Sequence, residues 1–315
     1  MKLFNKQYLK EFIFEQKCVP WRIHQICRAL THKYIPIKQR YLFSIFITRI
    51  TNLKKREYIK IWHKAICHNK NLSIFNNAII ELQEYFGLQK EQIEHLLLNS
   101  EIMLKDEWVN FFLKNDFEES NIIRFYDSTQ QEIFELMCWH YIKFLDGPLQ
   151  YVFALKIALN NKFTTYLDYG SGIGTGGILF AQNNFSVTLA DISTTNLDFC
   201  RYRFKKRNLK AEFIDLKNQY LQDKRFDIIT CFDVLEHTCE PIKIIISLVN
   251  ALNDNGLLLL NIPISEDRNR PMHIVKDKKI IEKIDSIGLY YNRLLMQMCK
   301  DDIGRDILIL SKQIQ

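Results

Sequence analysis

A glycine-rich turn, LDYGSGIGTGG from Leu167 to Gly177, constrains this chain more than any other feature. Asp168 stands two residues before three alternating glycines, Gly170, Gly172 and Gly174, with Ser171 between the first two. Phe163 to Leu167 ahead of it reads as a short β-strand, and Gly177 to Gln182 behind it can open a helix. Glycine has no Cβ and tolerates positive φ, so such a turn lets a ligand lie against bare backbone at a helix N-terminus. The turn reads as a nucleotide-type cofactor site.

Gly172, Gly174 and Gly177 also satisfy G-x-G-x-x-G, and Asp191 lies near the spacing of a dinucleotide ribose ligand. Three features favour S-adenosylmethionine (SAM) over NAD. An acid leads the glycines at the strand end, where a methionyl ammonium needs a negative partner. A second acid, Asp191, ends the next strand, SVTLAD, and suits ribose hydroxyls. Finally, FDIITCFDVLEH, Phe226 to His237, reads as a buried strand running into an acid-rich turn.

With these motifs in this order, Thr164 to Leu310 resembles a class I SAM-dependent methyltransferase. The subgroup it resembles carries a D-V-L-E-H-type sequence after the fourth strand, as ubiquinone-biosynthesis O-methyltransferases do. The resemblance implies that Asp168 and Gly170 to Gly174 hold the methionyl part and Asp191 the ribose. It implies that Ile192 packs on the adenine, that Asp215 with Leu216 meets the adenine edge, and that Phe232 and Asp233 close the pocket.

The rest of the chain is consistent with a soluble enzyme. At 315 residues the length suggests about two domains, and 47% apolar residues suffice for their cores. The longest uncharged stretch, Tyr169 to Ala190, is rich in glycine and asparagine and belongs to the cofactor turn, so no membrane span is expected. MKLFNKQYLKEF at the start has a lysine every fourth residue and no apolar run, so no secretory leader is expected. Eight scattered cysteines without a C-x-x-C pair suit free thiols in a reducing cytoplasm.

Charge is uneven along the chain. Residues 1–65 hold 15 basic against 3 acidic residues, residues 66–150 hold 6 against 14, and the remainder 22 against 19. The basic block is interleaved with aromatics, among them Phe4, Tyr8, Phe12, Trp21 and Trp62. Such a face can bind a nucleic-acid backbone or an anionic membrane surface. The simpler expectation is that the aromatics pack a helical core while the lysines solvate its outside.

Periodicity makes residues 1–160 mostly helical. Phe4, Tyr8 and Phe12 share a stripe opposite Lys2, Lys6 and Lys10. Helices are predicted over Leu72–Phe86 with a stop at Gly87, over Gln89–Leu98, over Glu101–Leu113, from Thr129 through Phe144, and over Leu149–Leu159. The second half alternates strand and helix: strands over 164–169, 186–191, 211–214 and 227–232, then LLLLNI after the turn Asn255–Gly256. A helix over 277–287 and two closing strands, Tyr290–Met298 and Asp306–Ser311, are expected to finish the sheet. The fold expected is α/β: a Rossmann-like, doubly wound, seven-stranded methyltransferase sheet (149–315) behind an all-helical N-terminal domain (1–148).

A sulfonium methyl is already a strong electrophile, so the protein chiefly holds a nucleophile in line with it. A hydroxyl or amine acceptor also loses a proton, and His237 and His273, on two loops expected to converge, are candidates to take it. Asp233, Glu236, His237 and His273 together are also suitable ligands for Mg²⁺, Mn²⁺ or Zn²⁺, which would acidify a vicinal diol or catechol. The metal-free arrangement is preferred, since separate duties explain all four residues. The expected activity is SAM-dependent methylation of a small or lipid-like metabolite, on oxygen, in the cytoplasm or peripheral at a membrane surface. The rivals are an RNA ribose 2′-O-methyltransferase using the basic block, and a non-catalytic SAM-fold interaction protein.

Overall fold

The computed structural model of the chain describes residues 53–143, 148–221, 223–261, 270–274, 282, 284, 286 and 289–312. The lysine stripe at Lys2, Lys6 and Lys10, most of the basic block and most of the expected helix 277–287 lie outside the described residues.

Among the described residues, helices α1 (Leu53–Ile66), α2 (Ile74–Phe86), α3 (Lys90–Phe112), α4 (Glu119–Ser128) and α5 (Gln131–Cys138) come first. A π-helical turn, Trp139–Lys143, follows, and α6 (Leu149–Asn160) leads into the sheet. The sequence signals at α2 are used as read. The Ser73 side chain accepts from Asn76 N at its start, and Gly87 ends it in the left-handed region at φ 69°.

Two expectations are corrected in this layer. The predicted pair of helices over 89–98 and 101–113 is the single helix α3, because nothing breaks the chain between them. Ser100 returns its hydroxyl to Leu97 O at 2.9 Å instead of capping a new helix. The helix expected from Thr129 stops being α-helical at Cys138, and α4 precedes it unannounced.

Strands β1 (Thr165–Tyr169), β2 (Ser186–Asp191), β3 (Glu212–Asp215), β4 (Phe226–Cys231) and β5 (Leu252–Leu260) run parallel. Helices α7 (Thr175–Ala181), α8 (Thr194–Lys206) and α9 (Pro241–Asn250) connect them. With β6 (Tyr290–Tyr291) and the antiparallel β7 (Leu308–Ser311), the order is β3-β2-β1-β4-β5-β7-β6. Strand order reverses between β1 and β4, and the carboxyl ends of those strands flank the crevice where ligands bind in such sheets.

The strand expected over Tyr290–Met298 is a correction: only Tyr290–Tyr291 is extended, and Arg293–Ile303 forms α10. Asn292 caps it by accepting from Leu295 N, Gly304 closes it at φ 71°, and Cys299 and Ile303 bury one face. Caps at both ends and an i, i+4 buried pair outweigh a short apolar run. Asn255–Gly256 lies inside β5 and not before it, beside a register shift against β4.

One apolar core joins the helical layer to the sheet. It runs from Trp62, Leu82 and Leu97 through Tyr151 and Ile157 to Tyr166, Leu189 and Leu259. Trp62 stacks on Tyr151 with centroids 6.1 Å apart. The N-terminal helices are therefore packed on the sheet, and α4 and α5 roof the crevice at the switch point.

Candidate functional site

The glycine turn closes on itself through β2. Gly170 and Ser171 donate their N–H groups to Ala190 O, and Gly172 N donates to Asp191 Oδ2 at 2.7 Å. Gly170, Gly172 and Gly174 all have positive φ. At Gly170 a Cβ would lie 2.2 Å from Val234 Cγ2, and at Gly172 2.7 Å from Leu136 Cδ1. Val234 follows β4 and Leu136 belongs to α5, so the turn is bare because two other elements close over it.

A cavity of about 680 Å³ opens beside this turn. Gly170, Ser171 and Gly172 form one wall, with Asp191, Ile192 and Leu216 at the β2 and β3 ends. Phe232, Asp233, Glu236 and His237 approach from β4 and His273 from beyond β5. Of the sequence-predicted residues, Asp168, Gly174 and Asp215 do not line the cavity. Asp168 is buried beneath the turn and accepts from Thr230 Oγ1 at 3.0 Å. Asp215 faces outward to Lys217 Nζ at 3.2 Å, and Leu216 forms the wall at that place. Phe232 rests edge-on against Tyr151 at 5.2 Å.

The two acids at the strand ends share one electrostatic situation. Burial pushes the Asp168 carboxyl up to about 7 and the Asp191 carboxyl up to about 6. Removing a carboxylate from water favours its neutral form, and the hydrogen bonds each accepts only partly oppose that. A cation beside either carboxyl would favour its ionised form.

Asp233 is held apart from the other acids. It sits at φ 56°, its N–H donates to Asn261 Oδ1 at 2.7 Å, and Asn261 Nδ2 donates back to Asp233 Oδ1 at 2.8 Å. This reciprocal pair ties the ends of β4 and β5 and occupies the carboxylate. A left-handed backbone at a non-glycine residue persists only where its surroundings enforce it.

Glu236, His237 and His273 come together, each offering a ligand atom within 4.8 Å of the others. The His237 and His273 rings meet edge to face at 4.9 Å. Glu236 is 1% exposed, and its Oε2 has no hydrogen-bond partner. Burial first, and the Asp233 charge second, push its carboxyl well above the usual range. His237 Nε2 lies 3.9 Å from Glu236 Oε1, longer than a hydrogen bond and wide enough for one atom to bridge. Burial, with the neighbouring His273, lowers His237 to about 3, so its ring is neutral at pH 7. Of the four candidate metal ligands, the structure thus unites three and leaves Asp233 with Asn261. Burial thus opposes protonation of His237 and ionisation of Glu236 alike.

The remaining walls come from the N-terminal helices. Glu132, Glu135, Leu136 and Trp139 line the cavity from one face of α5 and the turn after it, with Tyr126 from α4 and His140 beside them. Burial and the charge of Asp191 push Glu132 up to about 8. Glu132 and Glu135 fall at i and i+3, so an acidic pair on an otherwise apolar helix was the available signal. Among the described residues no helix is long and apolar enough to cross a membrane. The six described cysteines are free.

Residues 138–295, half of the chain, match the family described as methyltransferase domain. The ubiquinone biosynthesis O-methyltransferase of Rickettsia akari (strain Hartford) is 28% identical over 96 residues, which cover 30% of this chain and 38% of that protein. Its counterpart in Histophilus somni (strain 2336) is 30% identical over 120 residues, 36% of this chain and 50% of that protein. The matched part of the chain thus spans half or less of the length of these relatives. An O-methyltransferase family protein of known structure from Burkholderia thailandensis superposes at a TM-score of 0.45 and 15% identity, covering 69% of this chain and 71% of that one.

Proposed function

The chain belongs to the methyltransferase-domain family, and from that premise we propose that it binds SAM and methylates a small or lipid-like acceptor on oxygen. The observation that carries this reading is the continuity of one cavity. It runs from the bare glycine turn and Asp191, past Phe232, to the Glu236–His237–His273 cluster. A cofactor seated on the turn would present its far end to that cluster. The bound cofactor supplies an electrophilic methyl group on a sulfonium.

The chain's own residues then do three things. Gly170, Gly172 and Asp191 hold the cofactor, with Asp168 setting the charge beneath the turn. Tyr126, Trp139 and Phe232 exclude water from the methyl's path. Glu236, flanked by His237 and His273 at the cluster end of the cavity, takes the acceptor proton from its ionised form, which the cofactor's positive charge would favour against the cost of burial. In this reading residues 1–148 cap the acceptor end and residues 149–315 bind the cofactor. The free cysteines suit a cytoplasmic setting. Calorimetry with SAM, S-adenosylhomocysteine and NADH tests the reading: the first two should bind and the third should not. Tight NADH binding without SAM binding would overturn it.

One observation favours a second reading of the same cluster. The partnerless Glu236 oxygen, with two imidazoles in reach, is a donor set for a divalent cation that would hold both oxygens of a diol or catechol.

A further inference from the structure

Arg203 on α8 is fully buried, and its guanidinium reaches into the cofactor turn. Nη1 donates to Ile173 O, between Gly172 and Gly174, and to Thr175 Oγ1 at 2.9 Å. Nη2 donates to the Tyr141 hydroxyl, and Nε lies 3.3 Å from Glu81 Oε1. Glu81 comes from α2 in the helical layer, is 2% exposed, and also pairs with Arg207. A buried guanidinium persists only with a partner for its charge. The turn's geometry therefore depends on a carboxylate supplied by the N-terminal helices.

The network continues into the cavity. Thr175 Oγ1 lies 3.0 Å from His140 Nδ1. A guanidinium can only donate, so Arg203 fills one of the hydroxyl's two acceptor positions and leaves the hydroxyl's own proton available to His140 Nδ1. With that proton on the Thr175–His140 contact, the ring would carry its own on Nε2. His140 lines the cavity, as Gly170 and Tyr151 do, and Trp62 fixes its place by donating Nε1–H to the His140 carbonyl at 3.2 Å.

We propose that Glu81, Arg203 and Thr175 are positioning residues that present His140 Nε2–H as the donor for the carboxylate of the methionyl group of SAM. The inference rests on the reading that the cavity takes SAM with its methionyl end on the glycine turn. It makes the helical layer part of the cofactor site and not only a cover for the acceptor. Burial first, and the Arg203 charge second, hold His140 near 3, which keeps the ring a neutral, single-proton donor at physiological pH.

The test compares SAM with decarboxylated SAM, which lacks the carboxylate, by calorimetry on the full chain. His140→Ala should weaken SAM and S-adenosylhomocysteine binding about tenfold or more, the scale of one hydrogen bond to a charged group. Binding of decarboxylated SAM should be unchanged. Thr175→Val, nearly isosteric, should reproduce part of the SAM loss. It should also abolish the Nε2–H signature that the unchanged protein shows for His140 in ¹⁵N imidazole spectra. Equal losses for both cofactors, unchanged SAM binding in His140→Ala, or an Nδ1–H ring in the unchanged protein would overturn the inference. Failure of the unchanged protein to bind SAM would instead overturn the cofactor reading on which it rests.

Discussion

The Tyr126 hydroxyl lies 2.9 Å from Nδ1 of His237, a contact between α4 and the turn after β4 across 111 positions of sequence. Met272 O lies 3.0 Å from the same nitrogen. A carbonyl only accepts, so Nδ1 carries the proton and Nε2 keeps its lone pair toward Glu236. The Met272 carbonyl thus sets the tautomer, and the helical layer adds a second contact to the same nitrogen through Tyr126.

If Glu236 is the base, Glu236→Gln should lower turnover roughly 10²–10⁴-fold, while EDTA leaves turnover unchanged. Tyr126→Phe should lower it less, since the Met272 carbonyl still orients the ring. Loss of activity in EDTA, restored by Mg²⁺, Mn²⁺ or Zn²⁺, would replace the base with the cation-bound cluster. Full activity of Glu236→Gln without any metal would leave proximity as the whole mechanism.

Cofactor affinity should depend on pH through Asp168 and Asp191. Without ligand their carboxyls titrate near 7 and 6, above the ordinary aspartate range. A cationic ligand favours the ionised forms, so binding near pH 6 must release protons that binding at pH 8 need not. Affinity for SAM should rise from pH 5.5 to 8 and then level. Calorimetry in buffers of different ionisation enthalpy should detect proton release on the acidic side. Affinity independent of pH over that range would show that cofactor binding does not change the ionisation of either acid.

Gly170→Ala should abolish SAM binding with a smaller effect on folding. The new Cβ would sit 2.2 Å from Val234 Cγ2 at a φ of 67°. Both the turn and the segment leading to Glu236 would have to move. Wild-type SAM affinity in this variant would mean that the turn is not the cofactor seat.

What the sequence made legible was local. The glycine turn, Ser73 and Gly87 bounding α2, and the strand-ending Asp191 each carry their structural signal within a few residues. Asn292 and Gly304 carry one too, but the apolar run Leu294–Met296 between them reads as extended. The cluster of Glu236, His237 and His273 was only half legible. DVLEH announces two of its members, but the Asn261 amides that draw Asp233 away lie 28 positions later. Nothing local announces Glu81 as the partner of Arg203, 122 residues away, or His140 at the end of that network. Such partners exist only once the helical layer has packed on the sheet. The burial that shifts Glu132 and His237 is likewise a property of the assembled core.

The last prediction concerns the aromatic residues of the basic block. Trp62 is 1% exposed, stacks on Tyr151, and through it adjoins Phe232 at the cavity. If this part of the block is core, Trp62→Ala should cost about 3–5 kcal/mol of stability, and Trp62→Phe clearly less. Lys60 is exposed on the same helix, and Lys60→Glu should move the denaturant midpoint little. Because Tyr151 loses its stacking partner, Trp62→Ala should also loosen Phe232 and weaken SAM binding in whatever protein remains folded. Chemical denaturation with fluorescence and circular dichroism measures the first effect, and calorimetry below the unfolding midpoint the second. A Trp62→Ala protein as stable as the unchanged one would return the aromatics of this block to the surface, where a nucleic-acid or membrane role would have to explain them.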